Sequence, residues 1–425
     1  MIGQEESVPA ESAYLIGIKD RDTSEEKAAA LVEELGSLVK TMGLTIVGSE
    51  VVKIDNPQAR LYLGTGKAEE VMEAARESGA DCIVFDVSLS PSQQRNWERL
   101  SGLCVIDRQE VILDIFAARA STREAVIQVA LARMEYSLPR LTRAWTHLSR
   151  QRGGSKGTRG EGETQLEVDR RIVLKKIAKM KKELLKIRSQ RATQRKQRQA
   201  VPCPTAGLVG YTNAGKSSLL KALSGKEIFI EDKLFATLDP TTRRVDLGGG
   251  EELLVTDTVG FVRNLPHNLV EAFRSTLEET LTSDFLIHVL DASSPEVLDH
   301  ARTTLQVLEE VGAGDKTVFT VFNKRDLCDS TELPWYLKER FPESHFISTH
   351  TGEGMPELIQ ALEKQVRQSL RAGRYLIPQD RYDLVAYAHR SGKIIEEKHT
   401  DEGTLITTRL SAEAAGRLEG YRIAD

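Results

Sequence analysis

The stretch Gly210-Tyr211-Thr212-Asn213-Ala214-Gly215-Lys216-Ser217 decides the fold. It has the form G-x-x-x-x-G-K-[ST], in which backbone N–H groups cradle phosphates, a lysine neutralises them and a hydroxyl holds Mg²⁺. The flanks suit it. Ala206 to Val209 reads as a short buried strand, and Ser218-Leu219-Leu220-Lys221-Ala222-Leu223 opens a helix whose N-terminus favours an anion. All eight residues are candidate phosphate contacts, with Lys216 carrying charge in the transfer step and Ser217 on the metal.

Asn323-Lys324-Arg325-Asp326 names the base. It follows the apolar, β-rich run Thr317 to Phe322, which should be a central strand. The Asp carboxylate can accept from both N1–H and the exocyclic amine of guanine, and adenine offers no such pair. A buried pairing left unmade is expensive, so the discrimination is steep. Ser348-Thr349-His350, after a strand at Phe346-Ile347, falls where a last loop would touch the guanine oxygen through backbone N–H.

Asp257-Thr258-Val259-Gly260 ends the strand Leu253-Leu254-Val255. The Asp there meets Mg²⁺ through water, and Gly260 lets a backbone N–H approach the γ-phosphate. Between these signals lies Phe235-Ala236-Thr237-Leu238-Asp239-Pro240-Thr241-Thr242, a polar turn-forming segment in the place of a first switch loop. One threonine of Thr237, Thr241 and Thr242 should complete the Mg²⁺ shell; spacing alone does not choose. The next residue, Phe261, stands where many GTPases place the glutamine that orients the attacking water. An apolar ring cannot do that, so slow hydrolysis by the isolated chain is expected, completed by a partner or rearranged switches. Asn213 is placed to help hold K⁺ near the phosphates.

A chain of 425 residues should hold two to four domains. Net charge is −5, so global charge does not announce nucleic acid and its distribution matters instead. Cys82, Cys104, Cys203 and Cys328 form no C-x-x-C pair and read as buried thiols in a reducing cytosol. No long apolar run occurs, so the expectation is a cytoplasmic protein with at most peripheral membrane contact.

Before the P-loop, strands at Ala13 to Ile18, Thr45 to Val52, Cys82 to Asp86 and Cys104 to Asp107 alternate with helices from about Ser24 to Met42, Ala68 to Ser78 and Pro91 to Trp97. That alternation implies a mainly parallel sheet. Gly64-Thr65-Gly66-Lys67 is too short for a phosphate loop and reads as a tight turn. Ile127, Leu131, Met134, Leu138, Leu141, Trp145 and Leu148 then follow a seven-residue repeat interrupted by Pro139. Past the glycine-rich run from Gly153 to Glu163, Val173, Ile177, Met180, Leu184 and Ile187 repeat it. Between Arg170 and Arg198 there are thirteen Lys or Arg against one acid, Glu183. So lopsided a face on an acidic chain points to an RNA backbone, with binding that weakens as salt rises. A polar linker from Gln194 to Ala200 should follow. At the C-terminus, Leu384 to Tyr387, Ile394 to His399 and Thr404 to Leu410 read as strands and Ala412 to Glu419 as a helix. The expected fold class is α/β: a P-loop G domain (201–372), preceded by a small α/β domain (1–120) and an antiparallel helical hairpin (121–200), and followed by a small α+β domain (373–425).

The chain resembles the HflX-type GTPases, a translation-factor-related family that binds the large ribosomal subunit. The resemblance spans nearly the whole chain. It rests on Gly64 to Glu70, Leu89-Ser90-Pro91 with Arg95-Asn96-Trp97-Glu98, Asp107-Arg108 with Ile112 to Phe116, Leu166 to Arg171, Phe235 to Thr241 and Asp257 to Phe261. It implies that Thr237 is the switch ligand to Mg²⁺ and that the hairpin inserts toward the peptidyl-transferase centre. It also implies that the GTP-bound form helps separate stalled or idle ribosomes, releasing GDP after hydrolysis, from a protein monomeric off the ribosome. The last loop departs from the family's usual Ser-Ala, reading Ser348-Thr349. The rival reading is an RNA-remodelling protein whose N-terminal domain uses ATP under control of the G domain. A metabolic P-loop kinase is a third, opposed by Asn323 to Asp326.

Overall fold

Short capping residues start and stop the helices of the N-terminal α/β unit. Ser24 accepts from Lys27 N–H at the head of α1 (Glu25–Met42), and Gly43 ends it in a left-handed conformation. Ser90 and Gln93 form a reciprocal capping box on α3 (Pro91–Ser101). Asp107 accepts from Glu110 N–H and so opens α4 (Arg108–Arg119), a helix the sequence reading did not mark. These helices and α2 (Thr65–Glu77) alternate with β1 (Ser12–Lys19), β2 (Thr45–Lys53), β3 (Cys82–Phe85) and β4 (Cys104–Asp107). The sheet is parallel, in the order β2-β1-β3-β4. Position in it explains the sequence patterns: inner β1 and β3 are continuous apolar runs, whereas edge strand β2 alternates.

The computed structural model describes residues 10–21, 23–141, 165–198, 203–225, 235, 240–263, 280–328, 335–369, 371–410 and 412–423. The chain divides into two units, Met1–Leu184 with Leu265–Ala272 and Leu185–Asn264 with Phe273–Asp425. In the first, Trp97 is fully buried, donates from Nε1 to Leu61 O at 2.7 Å and meets Phe85 edge-on at 4.9 Å. Gly64 is the N-cap of α2, so Thr65, Gly66 and Lys67 are its first turn. Lys67 is engaged by Glu50 and Glu70, each at 3.1 Å. Of the cysteines only Cys82 is buried; Cys104 is exposed because it begins the edge strand β4, and Cys203 and Cys328 are partly exposed at element ends.

Helix α5 (Arg123–Ser137), capped by Thr122, runs into a 3₁₀ turn at Leu138–Arg140, so the α-helix ends where Pro139 interrupts the repeat. Helix α6 (Gln165–Arg198) is 34 residues long, roughly 50 Å at 1.5 Å per residue. The two apolar stripes meet as expected: Leu131 and Leu141 pack with Val173, Ile177 and Leu184. Arg123–Glu183 and Lys181–Glu135 ion pairs, at 2.5 and 2.7 Å, flank them. The expected linker at Gln194 is instead helical through Arg198, because nothing before Pro202 breaks the helix. The rest of the first arm and the glycine-rich run, 142–164, lie outside the described residues. Among the described residues no helix is long and apolar enough to cross a membrane.

The second unit holds a six-stranded sheet, β10-β9-β8-β5-β7-β6. Its strands are β5 (Thr205–Val209), β6 (Thr241–Asp246), β7 (Glu252–Asp257), β8 (Phe285–Asp291), β9 (Val318–Asn323) and β10 (His345–Phe346), all parallel except β6. Around it stand α7 (Lys216–Ser224), α8 (Val297–Glu310), α9 (Trp335–Arg340) and α10 (Met355–Ser369). A second, antiparallel sheet in the order β12-β13-β11-β14 contains β11 (Arg371–Ile377), β12 (Gly392–Thr400), β13 (Gly403–Leu410) and β14 (Arg422–Ile423). The expected strand at Leu384 to Tyr387 is wrong: it lies in α11 (Tyr382–Ser391). Leu384, Val385 and Ala388 form a helical stripe that covers the sheet, with α12 (Ala412–Leu418) beside it. The sheet position belongs to β11, whose polar beginning hid it. Glu251, buried at the β6–β7 turn, accepts from Arg409 at 3.2 Å and ties this sheet to the larger one.

Arg108 is buried between Asp86 (2.6 Å) and Glu34 (2.9 Å). Removing the cation leaves two carboxylates desolvated. Arg108→Ala should destabilise the N-terminal unit by about 3–5 kcal/mol, measured by urea unfolding; a loss near zero would contradict this account.

Candidate nucleotide-binding site

Strand β5 delivers the chain to Gly210, whose φ of 148° carries it close under β8. A Cβ there would sit 2.2 Å from Val289 O, so only glycine fits. The loop then turns through Asn213 (φ 59°) and Gly215 (φ 92°) into α7. Asn213 is exposed at the crown. Lys216 is buried at 7% exposure, and its Nζ donates to Gly210 O (3.1 Å) and Tyr211 O (2.8 Å), holding the loop closed around the ammonium. Burial pushes Lys216 down to about 8, against the opposing pull of Asp257. Ser217 Oγ donates to Asp257 Oδ2 at 2.6 Å, which brings together the P-loop hydroxyl and the β7 carboxylate.

The segment after β7 is fastened to the same loop. Thr212 N donates to Phe261 O (2.8 Å) and Phe261 N to Gly210 O (3.1 Å). Gly260 passes so near that a Cβ would lie 2.8 Å from Thr212 and 2.9 Å from Lys216 Nζ. Thr258 is turned inward, donating to Leu208 O at 2.6 Å, and Val259 is buried. Phe261 is buried at 2% exposure. Tyr211 points away from the loop: its ring stacks on His300 at 3.8 Å and its hydroxyl accepts from Arg263 N.

At the other end, Asn323 closes β9 and bridges two loops. Its Nδ2 donates to Ala214 O (3.0 Å) and its Oδ1 accepts from Thr349 N (3.1 Å). Lys324 takes a left-handed conformation (φ 62°) and pairs with Asp291 at 2.8 Å. Arg325 N donates to Ile347 O. Ser348 Oγ donates to Asp326 Oδ1 at 2.6 Å and accepts from His350 N. The four sequence signals at 210–217, 257–260, 323–326 and 348–350 thus converge. In the first switch segment Phe235 is buried, whereas Ala236, Thr237, Leu238 and Asp239 lie outside the described residues. Thr241 and Thr242 begin β6, and Thr242 shares a hydrogen bond with Thr256 at 2.9 Å.

Sequence reasoning missed Asp291, Arg263 and His288. Asp291 was legible as an acid ending a strand in register with Asn323. Arg263 donates to Glu296 (2.8 Å) and Asp299 (3.1 Å), residues far apart in sequence, so no local signal marks it. His288, opposite Val209 on β8, is fully enclosed; burial and then Lys216 push it down to about 3, which keeps it neutral.

This arrangement on a sheet of this order defines a P-loop GTPase. A family profile described as "50S ribosome-binding GTPase" matches residues 205–324, "GTP-binding GTPase N-terminal" matches 29–117 and "GTP-binding GTPase Middle Region" matches 119–198. The chain is 48% identical over 424 residues to GTPase HflX of Akkermansia muciniphila, covering 97% of each. It is 49% identical over 365 residues to GTPase HflX of Treponema denticola (83% of this chain, 92% of that one). With GTPase HflX of Escherichia coli the figure is 39% over 399 residues (93% and 92%). The chain belongs to the HflX family.

Lys216 must be an ammonium to hold phosphate, and a bound anion raises its pKa. GDP affinity should therefore be flat below the free-protein value of about 8 and fall above it with proton uptake. The limiting slope is about tenfold per pH unit. Calorimetric titrations with GDP between pH 7 and 9 check this; an unchanged Kd across pH 8–9 refutes it.

Proposed function

We propose that this chain is a GTP-hydrolysing factor that binds the large ribosomal subunit and separates stalled or idle ribosomes. In this reading residues 1–120 and 373–425 flank two working parts, a basic helical prong (121–200) and a G domain (201–372). One observation carries the reading: Arg170, Arg171, Lys175, Lys176, Lys179, Lys181, Lys182 and Lys186 are all exposed on α6, in a chain of net charge −5. A solvated helix balances its charges; this one presents a cationic rail suited to rRNA phosphates.

The G domain senses the nucleotide. Backbone N–H groups of the 210–217 loop and Lys216 take the phosphates, Gly260 N–H reaches the γ-phosphate, and Asp326 accepts from the guanine edge beside Ser348 and Thr349. Ser217 Oγ and Asp257 Oδ2, 2.6 Å apart, are hard oxygen donors that suit Mg²⁺. Ser217 would ligate the ion directly, Asp257 through water and Thr237 from the switch. An Mg²⁺ ion held there would supply positive charge against the phosphate oxygens. Phe261 supplies no group to orient water, and Asn213, exposed on the loop, offers its side-chain oxygen to K⁺. The ribosome completes the site, so hydrolysis follows docking. Lys67 is committed to Glu50 and Glu70, which favours this reading over an ATP-using N-terminal domain.

Co-sedimentation with purified large subunits should succeed with a GTP analogue and fail with GDP. The triple variant Lys175→Glu/Lys176→Glu/Lys179→Glu should lose sedimentation while keeping its GTP affinity; if it sediments like wild type, the prong is not the docking element. Stopped-flow phosphate release should be slow for the free protein and rise at least about tenfold with subunits. It should run faster in K⁺ than Na⁺, a preference that Asn213→Ala removes; equal rates in both salts count against the K⁺ site.

A further inference from the structure

Helices α3, α4 and α5 line a half-open cavity of about 640 Å³, bounded wholly by residues between Pro91 and Arg140. That is a size that holds a drug-like molecule. Leu113, Val129 and Met134 supply apolar wall, and Val126 on the lining is 48% exposed. It lies where the segments matched by the N-terminal and middle-region profiles adjoin, far in sequence from the nucleotide loops.

The charges in this wall are unevenly matched. Arg140 donates to Gln94 (2.8 Å), Leu89 O (2.7 Å) and Asp107 (3.3 Å), and its guanidinium lies 3.6 Å over the Tyr136 ring. Arg133 is taken up by Asp114 at 2.9 Å. Glu110 meets only neutral donors among the described residues, Tyr136 OH and Gln94 Nε2, both at 3.2 Å on one oxygen. Burial, then Asp107 and Asp114, push Glu110 up to about 7. Glu98 and Arg95 sit at the exposed rim, and the thiols of Cys82 and Cys104 are the other titratable groups that feel its charge.

We propose that this cavity binds a small organic ammonium ion with an apolar body, its cation set against Glu110 and its body over Leu113, Val129 and Met134. An ammonium supplies the counter-charge that the wall lacks at Glu110. An anion would meet the Glu110 carboxyl while Arg133 and Arg140 are already engaged by Asp114 and Asp107, and a neutral body gains only the apolar contact. Because the cation favours the ionised carboxyl, affinity rises as pH passes upward through about 7, and binding below that pH releases a proton.

Calorimetry on the full chain with tryptamine, neutral 3-methylindole and anionic indole-3-propionate tests this. Tryptamine should bind at least about tenfold tighter than 3-methylindole and strengthen up to about tenfold between pH 6 and 8, with indole-3-propionate not binding. Glu110→Gln should erase both the preference and the pH dependence, and Ala130→Phe should fill the cavity and abolish binding of both indoles, with far-UV dichroism confirming folded protein. Equal affinity for the three probes, no tryptamine binding at millimolar concentration, or a wild-type affinity independent of pH overturns the proposal. If Glu110→Gln does not fold, the wild-type pH series decides.

Discussion

The side-chain amide of Asn323 is the joint on which the nucleotide site depends. One end donates to Ala214 O in the phosphate loop and the other accepts from Thr349 N in the last loop. Asn323 is buried at 1% exposure, so cutting either bond leaves a desolvated polar group and costs about 1–3 kcal/mol. It also fixes a distance. The carbonyl it holds is one residue before Gly215, and the N–H it holds is one residue after Ser348, which itself orients Asp326. Gly215 has room for nothing more: a Cβ there would lie 2.1 Å from Asn323 Nδ2. The 210–217 and 348–350 loops are thereby tied at one spacing by a single planar group.

Much of this was legible in the sequence, for an identifiable reason. The P-loop, Asp257 to Gly260 and Asn323 to Asp326 each stand at the carboxyl end of a strand, where loop chemistry is set by local backbone demands and local residues reveal it. Gly210, Gly215 and Gly260 are required by close approaches that the motif spacing encodes. What stayed hidden depends on partners distant in the chain. The Arg263 pairs with Glu296 and Asp299, and the Arg108 pairs with Asp86 and Glu34, exist only once the sheet has ordered its strands. The C-terminal misreading has another cause. Leu384-Val385-Ala386-Tyr387 is too short for periodicity to separate strand from helix, and only Ala388, one turn beyond Leu384, closes the helical stripe.

Buried charge is handled differently in the two units. Arg108 answers two carboxylates, so its charge is compensated on the spot. Lys216 has one carboxylate within electrostatic reach and otherwise two backbone carbonyls, and burial depresses its pKa. A cation already matched by carboxylates has little charge to offer a ligand. An ammonium matched only in part is the better placed of the two to take an anion.

The same logic bears on how the γ-phosphate would be felt at a distance. Gly260 passes so near Thr212 and Lys216 that a Cβ there would lie within 2.9 Å of both, so a group entering beside Lys216 would meet the backbone of the segment after β7. That segment is not free to yield at Phe261, which is buried and hydrogen-bonded to the P-loop on both sides. The next anchor along the chain is Arg263. Its N–H is held by the Tyr211 hydroxyl, its guanidinium by Glu296 and Asp299 at the head of α8, and Tyr211 itself stacks on His300 of that helix. The P-loop, the 257–263 segment and α8 therefore share one closed circuit of contacts. A closely packed, hydrogen-bonded circuit of this kind has few intermediate arrangements, so a displacement of one member would be shared by the other two.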